Sequence, residues 1–146
     1  MFFNQIYDKI WLDTINHRGD DDLKIQESAE MYLETILILS RRNHQVRSID
    51  IANELDYAKP SVSVAMKNLR ENGYIEMDID MHITLTEKGR TIAETMYERH
   101  TFLSEWLTSL GVDKKIATED ACRIEHVISA ESFEAIKKYV RNCSSN

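Results

Sequence analysis

The stretch from Ser48 to Leu85 limits the fold more than any other part of the chain. Two short helical patterns meet there at a tight connection. Ser48 or Asp50 starts the first, Ile49, Ala52 and Leu55 give it an apolar face, and Asp56-Tyr57-Ala58 forms the turn. Pro60 fits the first turn of the second helix, where its missing N–H costs nothing. Val62, Met66 and Leu69 make that helix's inward stripe, and Gly73 ends it. Ile75, Met77, Ile83 and Leu85 then alternate with polar residues across a turn at Asp78-Ile79-Asp80, the pattern of two short strands. A helix-turn-helix followed by a two-stranded wing is the layout in which the second helix enters a DNA major groove.

The outward residues fit that reading. Ala58, Lys59, Pro60, Ser61, Ser63 and Lys67 lie at the entry or on the outer face, with no acidic residue between Lys59 and Arg70. Small hydroxyls and cations are the groups that meet phosphates and base edges. Arg47 and Ser48, at the start of the first helix, complete the expected DNA-binding set. Val64 offers no hydrogen bond, which favours shape readout over base readout along this face. The acidic Glu76, Asp78 and Asp80 near the wing tip oppose close phosphate approach, so the wing is expected to steer rather than grip.

The rest of the chain reads as helix. One proline and four glycines in 146 residues leave few breaks. Phe2, Ile6 and Ile10 suggest a short N-terminal helix before a break at Gly19-Asp20-Asp21-Asp22. Ser28 can cap a helix to about Arg42, with Tyr32, Ile36 and Leu39 inward and Met31 and Glu34 together on another face. Alone, Met31 fits a core methionine and Glu34 a solvated carboxylate. Thr86 opens a long helix to Leu110, stopped by Gly111, with Ile92, Met96, Leu103, Leu107 and Leu110 along one stripe and His100 on the same side. Tyr97, Phe102 and Trp106 add apolar surface beyond what one small lobe covers, so a homodimer interface is expected there. After a turn at Asp113 to Ala117, a last helix from Glu131 to about Val140 carries Phe133, Ile136 and Val140 inward, before a frayed tail from Asn142. The fold class is therefore mainly α: a winged helix-turn-helix over residues 26–86, preceded by an extension over residues 1–25 and followed by a helical domain over residues 87–146.

The stretch Glu119 to Ser129, EDACRIEHVIS, carries the chemistry. As a helix it brings Cys122, Glu125 and His126 to i, i+3 and i+4, so a thiol, a carboxylate and an imidazole emerge on one face. Such donors suit a transition metal, and at least one more ligand must come from elsewhere. The net charge of −7 argues against a polyanion binder that works by bulk charge and leaves room for a local basic face. Two cysteines, Cys122 and Cys143, are too few for a disulfide framework and fit a reducing cytoplasm. No run approaches the roughly 18 apolar residues of a membrane span. An enzyme is disfavoured, because no HExxH-type helix or paired general base is present. A metal-independent winged-helix regulator with an organic effector is the alternative.

Several of these pieces resemble one family. SAEMYLETI, DIANELDYAKPSVS, LTEKG, ERH and DACRIEHVIS occur in the order of the diphtheria toxin repressor family of metal-dependent transcriptional regulators, over about Ser28 to Val140. The resemblance implies a homodimeric repressor, in the short two-domain form, that binds double-stranded operator DNA once its helical domain has bound Fe(II) or Mn(II), with Zn(II) or Co(II) binding in vitro. By position it implies the ligands Met31, Glu34, His100, Cys122, Glu125 and His126. Met31 and Cys122 match the iron-responsive branch, where the manganese branch has Asp and Glu. Ser104 and Thr118 stand where the toxin repressor carries a Glu and a His. Neither a membrane nor a small-molecule substrate is implied.

Overall fold

The protein is described by a computed structural model over residues 21–143, with side chains from Glu27. The expected helix over Phe2 to Ile10 lies outside the described residues. The element order is α1 (Asp21–Arg42), α2 (Ser48–Leu55), α3 (Lys59–Glu71), β1 (Ile75–Met77), β2 (Ile83–Leu85), α4 (Glu87–Ser109), α5 (Lys114–Val127) and α6 (Ala130–Cys143). The chain forms two compact units, one ending at Glu94 and the other beginning at Thr95, so the boundary falls within α4.

In the first unit, α1 to α3 and the two strands surround one core built on Leu33, Ile36, Leu37, Ile51, Val62 and Ile75, all with at most 1% exposure. α1 is already helical at Asp21, the first described residue, and so extends N-terminal of Ser28, because nothing in Asp-Asp-Leu-Lys breaks a helix. Its inward face is wider than Tyr32, Ile36 and Leu39: Leu33 and Leu37 are more deeply buried than two of these. In α2 the core residue is Ile51, whereas Ile49, expected inward, is 38% exposed. The helix begins at Ser48, three residues earlier than an Asp50 cap would place it: Arg47 is the cap, and its N–H donates to Asp50 Oδ2 at 2.8 Å. Asp56 (φ 53°) closes α2 in the left-handed region, Ala58 caps α3, and Pro60 sits in its first turn. Val62, Met66 and Leu69 are buried as the stripe predicts.

The wing follows the alternation closely. β1 and β2 are antiparallel, with Ile75 opposite Leu85 and Met77 opposite Ile83, and the Ile83 N–H also reaches Val46 O at 2.7 Å. Asp78 organises the connection: its carboxylate accepts from the N–H groups of Asp80 and His82 at 2.9 and 2.8 Å and meets His82 Nδ1 at 3.1 Å. Those bonds hold its carboxyl below the usual aspartate range, the largest cause being the His82 N–H. The acidity of the tip thus serves the loop's own geometry.

Thr86 opens α4 by accepting the Gly89 N–H (3.2 Å) and donating to Gly73 O (2.7 Å). Gly89 is buried against the Tyr74 carbonyl, where a Cβ would collide with the oxygen. At the far end Gly111 (φ +96°) stops the helix; Leu110, expected on the apolar stripe, is 63% exposed because it lies past the last turn.

The second unit packs Leu103, Ala121 and Phe133 at its centre, with Phe102, Trp106, Ile124 and Ile128 against them. α5 starts at Lys114, within the span where the sequence suggests a turn to Ala117: Asp113 caps it, accepting from Lys115 N and Ile116 N at 3.0 and 3.4 Å. Ser129 Oγ accepts the Ser132 N–H and caps α6, which runs on through Asn142 and Cys143, residues expected to fray. α6 also buries Lys137, four residues after Phe133 on the same face. Its ammonium donates to Glu98 Oε1 at 2.6 Å and Glu134 Oε1 at 3.2 Å, and these bonds, Glu98 first, raise its pKa. Among the described residues no helix is long and apolar enough to cross a membrane.

Candidate metal centre and nucleic-acid interface

In the second unit, α4 supplies His100 and α5 supplies Cys122, Glu125 and His126. One donor atom each from His100, Cys122 and Glu125 lies within 4.8 Å of the other two, close enough for a single ion. Cys122 is buried and in no disulfide among the described residues, and the Glu125 side chain has no exposure at all. Helical spacing explains the gathering: residues i, i+3 and i+4 of α5 turn one face toward the core, and His100 stands on the core side of α4.

Glu125 is the pivot. Its Oε2 meets His100 Nδ1 at 2.8 Å, and Oε1 lies 3.3 Å from His126 Nε2 and has no well-aligned hydrogen-bond donor among the described residues. A buried carboxylate oxygen that accepts no hydrogen bond has a strong drive to bind a cation. Burial is the largest influence on this carboxyl and by itself would raise its pKa; the imidazoles of His100 and His126 outweigh it and hold the group below the ordinary range. A thiol, an ionised carboxylate and the His100 imidazole form a mixed soft and borderline set that fits a late first-row divalent ion; His126 stands beside the carboxylate at 3.3 Å but is not part of that three-donor cluster.

The other two expected ligands belong to the first unit. Met31 and Glu34 are both buried, at 6% and 7% exposure, so Glu34 is not the solvated carboxylate that its type alone suggests. Met31 Sδ accepts a hydrogen bond from Tyr57 Oη at 3.7 Å, and Tyr57 packs edge-on against Tyr32 at 6.2 Å between centroids. Ser104 and Thr118 hydrogen-bond to each other through their hydroxyls at 3.1 Å.

The residues expected at DNA lie in the first unit. Ala58, Lys59, Pro60, Ser61, Ser63 and Lys67 are all exposed on α3 or at its cap, Arg47 is exposed at the cap of α2, and Ser48 is half-buried. Val64, at 60% exposure, shares the outer face of α3. Lys67 Nζ stands 3.9 Å from Glu71, an exposed pair that costs little to open.

Residues 24–83 match the family description "Iron dependent repressor, N-terminal DNA binding domain", and residues 86–146 match "Iron dependent repressor, metal binding and dimerisation domain". The chain belongs to the iron-dependent repressor family. It is a metal-dependent transcriptional regulator built from that family's DNA-binding domain and its metal-binding and dimerisation domain. The repressor is 33% identical over 116 residues to the transcriptional regulator MntR of Escherichia coli, covering 80% of this chain and 75% of MntR. It is 30% identical over 120 residues to the iron-dependent repressor IdeR of Mycobacterium tuberculosis, covering 82% of this chain and 52% of IdeR. Among solved structures, the manganese regulator SloR matches with a TM-score of 0.69 and 27% identity over 77% of this chain and 53% of the SloR chain. The repressor thus spans about half the length of IdeR and of SloR.

Of the three residues expected at a dimer interface, Tyr97 is exposed, at 36%. Phe102 packs edge-on against Phe133 at 5.5 Å, and Trp106 lies against the same core. Hydrophobic periodicity does not single out Arg99, although it lies in the ERH segment. Its Nη1 donates to Glu125 O at 3.0 Å and Ile128 O at 3.2 Å. No spacing rule links residues 99 and 125; only the packing of α4 on α5 does.

Proposed function

We propose that His100, Cys122, Glu125 and His126 hold a regulatory divalent ion; Met31 and Glu34 are the further ligands that the family resemblance implies. The observation that carries the reading is the buried Glu125 Oε1, which has no well-aligned hydrogen-bond donor among the described residues. When bound, the ion supplies positive charge to a cluster of carboxylates and a thiolate. The chain's own residues orient the donors and exclude water from them. Cys122 and Met31 favour Fe(II) over Mn(II), which prefers oxygen and nitrogen ligands, while Zn(II) and Co(II) bind in vitro.

The ion acts on DNA binding only as far as it prefers the operator-competent arrangement of the dimer. A strong shift needs a few kcal/mol of differential affinity. In that arrangement Lys59, Ser61, Ser63 and Lys67 meet the major groove, with Arg47, Ser48, Ala58 and Pro60 at its edges. Tyr97, together with the outer edges of Phe102 and Trp106, meets the second protomer. The genes under control are those of metal homeostasis, and the protein is cytoplasmic, carries out no catalysis and takes no small-molecule substrate.

Anaerobic selection from a random duplex library, with Fe(II), with Mn(II) and with chelator, tests the reading. Enrichment of one palindromic sequence only with metal supports it. Equal enrichment with chelator favours a regulator that does not need metal.

A further inference from the structure

We propose that Arg99 is a positioning residue of the metal centre, holding the last turn of α5 so that Glu125 and His126 stay set for the ion. The inference rests on the metal-centre reading above. α5 ends at Val127, so two of its three donors stand in its last turn. That is the weakest place in a helix, because the last four carbonyls have no partner within it and the turn frays.

Many helices solve this with a left-handed glycine just past the end. α5 is followed instead by Ile128 in an extended conformation (φ −72°, ψ 133°) and by Ser129. Arg99 takes the place of the missing cap. Its Nη1 donates to Glu125 O and Ile128 O, at 3.0 and 3.2 Å. A cation at a helix C-terminus is favoured by the helix dipole, and a charged donor makes the stronger kind of hydrogen bond. The guanidinium also lies over the Phe133 ring, 5.6 Å from its centroid, which ties the end of α5 to α6.

Arg99 and His100 divide the work on one residue. Arg99 holds the main chain of Glu125, and His100 Nδ1 meets its carboxylate at 2.8 Å. Glu125 Oε1 has only the His126 imidazole beside it, at 3.3 Å, so the direction in which that oxygen points depends on these two anchors together with that contact. Outer partners of this kind typically contribute about 10- to 100-fold in metal affinity. Both Arg99 bonds come from a single nitrogen, and its Nε makes none. A lysine therefore keeps the charge and can replace one or both contacts, whereas glutamine keeps a donor without charge.

The test uses the full chain and Co(II) as probe, read by affinity in competition with a chelator and by the cobalt d–d spectrum, with thermal unfolding of the metal-free proteins alongside. The expected result is about a 10-fold or greater loss of Co(II) affinity in Arg99→Ala with altered d–d bands. Arg99→Lys recovers most of the affinity and Arg99→Gln falls between. Should Arg99→Ala not fold, the order wild type, Lys, Gln carries the test. Variants that melt lower yet bind Co(II) with wild-type affinity and spectrum, while Glu125→Gln loses binding, overturn the positioning role. If Glu125→Gln itself binds as wild type does, the metal-centre reading falls instead.

Discussion

His100 Nδ1 lies 2.8 Å from Oε2 of Glu125, whose side chain is fully buried. An acid in that position is tolerated because imidazoles on two helices offset its desolvation. The same contacts that keep the carboxylate ionised without metal are expected to keep it ready as an oxygen donor.

Acid should weaken the metal-free protein through Glu125. Its carboxyl sits below the ordinary value of 4.5, so its stabilising effect is fully present above that pH and is lost as pH falls through the lower folded value. Urea midpoints measured from about pH 6 downward, a range chosen to bracket these values, should fall more steeply for wild type than for Glu125→Gln. Parallel curves would mean that the pair contributes nothing to folding.

Cys122 should set the choice of metal. Replacing it with Asp exchanges a soft sulfur for a hard oxygen, so Cys122→Asp is expected to shift affinity from Co(II) and Zn(II) toward Mn(II) by roughly an order of magnitude. Chelator competition with each ion measures the shift. Unchanged ratios would remove the thiol from the coordination sphere.

Lys59 and Lys67 should act on DNA through charge alone. Each Lys→Ala change is expected to weaken operator binding across sequences and to lower the slope of log K against log salt by about 1 for each phosphate that the side chain neutralises. Titrations at several salt concentrations give the slope, and a variant that alters sequence preference instead would place that lysine on a base.

Much of this molecule was legible in its sequence, for physical reasons that differ between elements. The stripe Val62, Met66 and Leu69 and the alternation over Ile75 to Leu85 are short, strongly periodic and bounded by Pro60 and Gly73, so local rules decide them. Local rules failed where two signals compete. Ile49 and Ile51 both suit an apolar face, and only tertiary packing selects Ile51. Asp113 could belong to a turn or a cap, and the cap prevailed. In the site, the spacing of Cys122, Glu125 and His126 announced a shared face, whereas the grip of Arg99 on the Glu125 carbonyl spans 26 residues and leaves no periodic trace. Lys137 was hidden for the opposite reason: its type signals solvent, and Glu98, Glu134 and the Phe133 ring beneath its ammonium make its burial tolerable.

Gly89 should be irreplaceable by alanine. The added Cβ would run into the carbonyl oxygen of Tyr74, a backbone atom that cannot swing aside. Gly89→Ala is expected to destabilise the first unit by about 1–3 kcal/mol despite alanine's better helix propensity, as read from chemical denaturation. A stabilised variant would show that α4 starts differently.

An ion held by Glu125 and its neighbours is expected to switch DNA binding. The most direct test is the anaerobic affinity of the selected operator duplex for wild type and Glu125→Gln, each with Fe(II), with Mn(II) and with chelator, alongside the oligomeric state. Wild type is expected to bind tightly only with metal, and a still dimeric Glu125→Gln to bind weakly under every condition. Equal affinity of the two proteins with and without metal would contradict that expectation.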